Sequence, residues 1–394
     1  MSIRRILQPA ARVALTLPII LSAVWGAFAL WFQVSGGPWA AGAAAALWSG
    51  LAMTAVIEPW HRPTGAPGSP GSPGSPGSPG SPGSPGSPGS PGSSAAPGSP
   101  GSPAAPATPG SRRWRIAYGL AFVALLIGWL MIRPSDERDW APDVARHLDG
   151  RVDGSKVTLG NVRDFDWRSD DDFTERWRTR TYDLDRLRTV DAALSYWMGP
   201  AIAHTLVSFG FDDGRGGTEY LTFSIEIRKE RGEQFSAIAG FFKRYELGLV
   251  AADERDILRV RTNVRGEDVY LYRIRMPRDA MRSLFVAYVE QAAELRRRPR
   301  FYDTLFANCT TIVYQMASRI VGGLPLDWRL LASGYLPEYL SEVGALVPGV
   351  DLRTLRARGR ITERARAADR APDFSRRIRD GMPGADGSQA ADGS

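Results

Sequence analysis

The chain has 394 residues, 43% of them apolar, with a formal net charge of +7 and a single cysteine. Residues 1–133 carry eight arginines against one glutamate, and the 41 basic and 41 acidic side chains that remain leave residues 134–394 neutral. The excess charge therefore flanks apolar segments and gives no support to nucleic-acid binding by the main domain. A lone cysteine excludes an internal disulfide, a thiolate zinc cluster and a CxxC redox pair. Three histidines without HExxH argue against a zinc enzyme, and the lack of GxxxxGK(S/T) argues against a P-loop, so no cofactor is expected.

Val13–Phe32 is an uncharged run of twenty residues, followed by Gly36, Gly37 and Pro38. Trp39–Ile57 is a second, of nineteen, and Ile116–Ile132 a third, between the Arg112/Arg113/Arg115 cluster and Arg133. A membrane span needs about 20 apolar residues, or about 17 at the lower limit, so each run predicts a transmembrane helix. Two spans then occupy residues 1–63 and a third residues 111–133. Arg4, Arg5 and Arg12 precede the first span, Arg62 follows the second, and Gln33–Pro38 between them is uncharged. Positive-inside counting places the N-terminus in the cytoplasm of a bacterial cell and everything after Arg133 on the periplasmic side of its inner membrane. A cleaved signal peptide is the alternative for the first run.

Thr64–Gly110 contains only Gly, Ser, Pro, Ala and Thr, including eight consecutive Gly-Ser-Pro triplets from Gly68 to Pro91. Such a segment cannot build a core and reads as a disordered, semi-extended spacer. Glycine at every third position leaves a collagen-like trimer as the alternative.

Residues 134–380 read as one α+β domain. Strands are predicted at Lys156–Trp167, Ala203–Phe211, Glu219–Lys229, Tyr245–Ala251 and Asp268–Arg275, with a polar turn at Ser169–Asp172 and a hairpin connection at Asp212–Gly217. In the third strand Leu221, Phe223, Ile225 and Ile227 share one face, while Thr222, Ser224, Glu226 and Arg228 share the other. Matching the apolar faces of the hairpin requires an even sum of paired residue numbers. If Phe211 faces Glu219 the sum is 430, and His204 then comes opposite Glu226. Helices are predicted from Arg278 to Arg296 and from Cys309 onward, the latter capped by Asn308, Thr310 or Thr311. Residues 381–394 read as a disordered tail.

Position gives Cys309 a chemical reading. At a helix start, free N–H groups and the helix dipole favour the thiolate. His204 can take the thiol proton, and Glu226 can hold the resulting imidazolium. The plainer alternatives are a buried apolar cysteine, a core histidine, and a surface glutamate paired with Arg228. His61 and His147 have no catalytic setting.

Ala203–Phe211, Ser224–Arg228, Ala252–Asp256 and Asn308–Thr311 together resemble the Lnb N-terminal periplasmic domain family, over about Val157 to Pro348. The resemblance implies a permuted papain-like, NlpC-type fold with the histidine strand before the cysteine helix. It also implies a membrane-anchored thiol acyltransferase or acyl hydrolase, with a phospholipid acyl donor and a lipoprotein N-terminus as possible acceptor. Cys309 becomes the nucleophile, His204 the base and Glu226 the third member, with Asn308, Thr310, Ser224 and Arg228 as substrate or oxyanion support. In the acyltransferases of this family membrane helices follow the domain, whereas here they precede it, which weakens the substrate assignment. An amidase or peptidase acting on cell-wall peptides, and a non-catalytic envelope scaffold, are the competing readings.

Overall fold

The computed structural model of the chain describes residues 4–57 and 109–385, which separate into two units after residue 131. Apart from residues 109 and 110, the spacer expected at 64–110 lies outside the described residues.

The first unit holds three helices, α1 (Arg4–Gln33), α2 (Gly37–Ile57) and α3 (Pro109–Met131). Each contains a stretch long and apolar enough to cross a membrane: Thr16–Gln33, Gly37–Ile57 and Arg113–Met131. Gly36 and Gly37 turn the chain between α1 and α2 at φ of 107° and 86°, where L side chains are strained. The two helices then pack closely. Trp48 Nε1 donates to the Ala23 carbonyl at 2.9 Å, and a Cβ on Gly26 would lie 2.5 Å from that indole. A hydroxyl pair, Ser22 and Tyr118 at 2.7 Å, links α1 to α3.

The second unit is built on one large sheet. Its strands are β1 (Asp149–Asp153), β2 (Lys156–Arg163), β5 (Trp177–Asp183), β6 (Leu187–Tyr196), β7 (Ala203–Asp212), β8 (Thr218–Arg228), β9 (Glu246–Ala252) and β10 (Asp268–Ile274). Between β2 and β5, β3 (Asp166–Trp167) and β4 (Phe173–Thr174) form a separate small hairpin around the predicted polar turn. The sheet order is β1-β2-β9-β8-β7-β6-β10, with β5 also on β2; every pairing is antiparallel except β2 with β9. Register between β7 and β8 runs from Phe211↔Glu219 to Leu206↔Ser224, the alignment predicted from side-chain parity. On the apolar face, Phe209 and Phe223 meet Phe285 and Tyr288 of α5 (Arg278–Arg297), with Phe223 stacked on Tyr288 at 4.6 Å between ring centroids. Helices α6 (Cys309–Ile320) and α7 (Leu336–Glu342) join the same core.

The opposite face departs from expectation. Its alternating polar residues suggest a solvated surface, yet Ser208, Thr222 and Ser224 are buried. Covering them are α4 (Glu254–Arg259), a π-helical turn at Val260–Val264, and the C-terminal α9 (Thr362–Ala367) and α10 (Phe374–Arg377), whereas α8 (Leu352–Gly359) joins the first core. Ile257, Leu258, Ile361, Phe374 and Ile378 form a second core against Leu206, Val250 and Leu271. The buried polar groups pair with one another: Ser208 donates to Glu254 at 2.5 Å and Thr222 to Ser208 at 3.2 Å. Arg379 reaches Glu254 at 2.6 Å and Asp191 at 2.8 Å, while Arg273 donates to Asp191 at 2.5 Å. Met382 is buried in this second core, so residues 381–385, assigned by composition to a disordered tail, belong to the fold. Residues 386–394 of that tail lie outside the described residues.

Breaking a buried ion pair from one side leaves the other charge uncompensated, which costs about 3–5 kcal/mol. Arg379→Ala should therefore destabilise the protein by about that amount, read as an earlier unfolding midpoint of the detergent-solubilised chain. An unchanged midpoint would show that the C-terminal layer does not hold the sheet.

Candidate active site

Local sequence sets the cysteine in place. Asn308, in extended backbone conformation, caps α6 by accepting from the Thr310 and Thr311 amides, each at 2.9 Å, and Thr311 Oγ1 returns the contact to the Asn308 amide at 3.0 Å. The Asn308 side-chain amide also donates to the Thr304 carbonyl at 2.8 Å, fixing the incoming loop. One turn of helix is thereby locked with Cys309 as its first residue. Thr310 Oγ1 lies 2.8 Å from Thr205 Oγ1, which ties α6 to β7. Because the β7–β8 ladder ends at Leu206↔Ser224, the Thr205 amide is free to donate to the Cys309 sulfur.

His204 lies one residue before Thr205. Its Nε2 is 2.7 Å from Ser224 Oγ and 3.3 Å from Glu226 Oε1. Ser224 Oγ donates to Glu226 Oε1 at 2.7 Å, so its lone pairs are left to accept from His204 Nε2–H. Nε2 is therefore the nitrogen that donates to Ser224, and the imidazole also interacts with the Cys309 thiol. Arg261 Nη2 donates to Glu226 at 3.0 Å and its Nη1 to Glu267 at 3.3 Å, and Ser195 Oγ also donates to Glu267.

The electrostatics follow from this chain of contacts. Burial works against the His204 cation, and Arg261 works in the same direction, but Glu226 and Cys309 outweigh them and raise its pKa to about 9. Burial likewise opposes the Cys309 thiolate, yet the His204 cation and the amide of Thr205 bring its pKa below the ordinary thiol range. Glu226 is held well below the usual carboxylate range, because His204 and Arg261 overcome the cost of burying its charge. Side-chain exposure is 12% at His204 and 18% at Glu226, and Cys309 is buried, so the pair is screened little by solvent.

Of the residues singled out in the sequence, Cys309, His204, Glu226, Ser224, Asn308 and Thr310 converge. Ser224 bridges His204 to Glu226, while Asn308 and Thr310 position α6. Both amides capped by Asn308 are already committed, and the Cys309 amide is the one in the first turn without an acceptor among the described residues. Arg228 does not join the site. Its guanidinium bonds Asp136 and the Val144 and Ala145 carbonyls and lies over the Trp140 ring, because the chain entering the domain packs along that end of β8. Arg261 and Glu267 were not singled out in the sequence; they come from a turn that only the fold brings beneath β8. The Ala252–Asp256 block proves structural. Asp253 caps α4, Glu254 holds Arg379, and Asp256 binds Arg163 at 2.8 and 3.0 Å together with the Trp167 indole at 2.7 Å.

Residues 173–334 match the model of the Lnb N-terminal periplasmic domain family, a span that contains the whole His204–Glu226–Cys309 arrangement. No curated protein and no solved structure matches the chain significantly. The chain thus carries a segment similar to the Lnb N-terminal periplasmic domain, following in sequence three helices long and apolar enough to cross a membrane.

Proposed function

We propose that the protein is a periplasmic cysteine acyltransferase or acyl hydrolase, acting through a thioester on Cys309. The observation that carries this reading is a helix-start thiol beside an imidazole that Ser224 and Glu226 hold through Nε2, thiol and imidazole each shifting the other toward its charged form. In the first step the Cys309 thiolate attacks an ester carbonyl, such as that of a phospholipid. The Cys309 amide stabilises the oxyanion, and the His204 cation protonates the leaving alcohol. In the second, neutral His204 takes a proton from an incoming amine or water, which attacks the thioester and restores the thiolate. An amine acceptor, as on a lipoprotein N-terminus, gives an amide; water gives a free acid. A histidine strand ahead of a cysteine helix on an antiparallel sheet is the order of a permuted papain-like fold, which supports the same chemistry.

Cys309→Ala should abolish turnover and His204→Ala nearly so, with native circular dichroism in both. Glu226→Gln should cost about two to four powers of ten in rate, because it removes the charge holding the imidazolium. Retained turnover in Cys309→Ala would sink the nucleophile assignment.

The pH profile tests the ion pair separately. Activity should rise as Cys309 ionises, below the ordinary thiol range, and fall as His204 loses its proton near pH 9. Since Glu226 raises the His204 pKa, Glu226→Gln should move the alkaline limb to lower pH. A limb that stays in place would mean that Glu226 does not contact the working imidazole.

The site needs the domain on the periplasmic side, with the N-terminus and spacer in the cytoplasm and three crossings between. A reporter active only in the periplasm should work when fused after Arg133 and stay silent when fused within Gly68–Gly110. The reverse pattern would reject the three-span topology.

A further inference from the structure

Large apolar side chains scattered singly over a protein surface are ordinary, but their concentration in one patch marks an interaction site. Among the described residues of the second unit, eleven large apolar side chains are exposed, and ten of them lie in four short segments: 197–198, 235–241, 305–306 and 326–331. The exception is Val152. Phe306, Leu326 and Trp328 are 73%, 83% and 61% exposed.

These four segments are joined to one another and to the catalytic groups. The Trp197 and Phe235 rings meet edge to face at 6.0 Å. Thr304 donates to the Ala237 carbonyl at 2.9 Å and accepts through its own carbonyl from the Asn308 cap. Ser333 and Gly334 bond the backbone at Ala203 and Ala201, next to His204. The segments that carry the exposed apolar groups are therefore bonded to the stretches of chain next to Cys309 and His204. Trp197–Ala203, Gln234–Phe242 and Thr304–Thr311 hold no charged residue; the fourth segment holds Asp327 and Arg329, paired with each other at 2.8 Å, and Lys243, Arg244 and Arg319 stand at the margins.

We propose that this rim docks on the surface of a lipid bilayer, seating its aromatic and aliphatic side chains at the headgroup–acyl boundary so that an acyl chain enters the site without crossing water. A crest whose only charges, Asp327 and Arg329, are paired with each other, with basic residues at its margins, fits an interfacial surface carrying anionic lipid. Continuity of the chain points to the same occupant. The segment that follows α3 bonds to both ends of the loop bearing Phe235, Ile238 and Phe241: the Ser135 amide donates to Glu246 at 3.1 Å, Arg138 pairs with Glu230 and Glu246, each at 2.9 Å, and the Arg231 amide donates to the Asp139 carbonyl at 2.7 Å. Ser135 is four residues beyond the end of α3, a reach of about 14 Å at most, so this loop is tethered close to where that membrane-length helix ends. The proposal rests on the acyl-transfer reading only for what the docking achieves, and the docking itself is measurable without turnover.

The test uses the full chain in the Cys309→Ala background, which has no other cysteine. Phe306→Cys, Leu326→Cys and Trp328→Cys, with Arg215→Cys in the β7–β8 hairpin as control, are labelled with an environment-sensitive fluorophore. Each is reconstituted in phosphatidylcholine/phosphatidylglycerol vesicles, with or without lipids spin-labelled near the headgroup end of the acyl chain. The three rim labels should lose most of their emission to the spin-labelled lipid, and the control should not. Rim labels as bright with spin-labelled lipid as without it would overturn the proposal. So would rim-to-rim cross-linking between copies at the expense of quenching, which would assign the patch to a second copy of the chain. Because Cys309→Ala is inactive by design, quenching without wild-type turnover would reject the acyl-transfer chemistry and leave the docking standing.

Discussion

Burying a thiolate and an imidazolium side by side is unfavourable unless each charge is answered, and at this site the answer extends well beyond the pair. From Cys309 the signs alternate: thiolate, imidazolium at His204, carboxylate at Glu226, guanidinium at Arg261, carboxylate at Glu267. Ser224 and Ser195 add neutral donors to the two carboxylates. Arg261 acts in two ways: it opposes the His204 cation through space, yet it holds Glu226 ionised and in position. The balance still favours the charged histidine, because Glu226 is in contact with the imidazole while Arg261 acts from behind that carboxylate. Low dielectric makes each link stronger and each missing link more costly.

The same constraint explains the second helical layer. β7 and β8 place Ser208, Thr222, Ser224 and Glu226 on one face, and a carboxylate there would be fully solvated if the face were open. Covering it with α4, α9 and α10 lowers the dielectric around Glu226 but strands the remaining polar groups. Arginines resolve the conflict from the covering layer: Arg379 reaches Glu254 and Asp191, and Arg261 reaches Glu226 and Glu267. The C-terminal segment, arginine-rich in sequence, is therefore part of the sheet's charge balance as much as of its apolar packing.

How legible this was in the sequence depends on the range of the interaction. Side-chain parity limited the β7–β8 register to even sums, because a one-residue slip would have turned Phe209 and Phe223 away from the core, and the choice of Phe211 opposite Glu219 among them came from the hairpin connection. The Asn308 cap and the helix starting at Cys309 are likewise local. Strand β6 escaped notice because Asp191 interrupts its apolar run; that aspartate is buried, and its partners lie 82 and 188 residues further along the chain. Arg261 carries no spacing signal either, since it belongs to a π-helical turn whose position beneath β8 is a tertiary fact. Arg228 was misplaced for the converse reason. It shares a strand face with Glu226, but strand alternation does not reveal that a different segment covers that end of the strand.

That segment gives β8 two roles. A single residue, Ile227, separates Glu226, which holds the imidazolium, from Arg228, which clamps the chain arriving from α3 through Asp136 and the Val144 and Ala145 carbonyls. Glu230, just beyond the strand, takes Arg138 from the same arriving chain. The strand that carries Glu226 thus also anchors the arriving chain, so a load entering the domain along that chain reaches the carboxylate that answers the imidazolium, and the clamp at Arg228 keeps that carboxylate in register with His204.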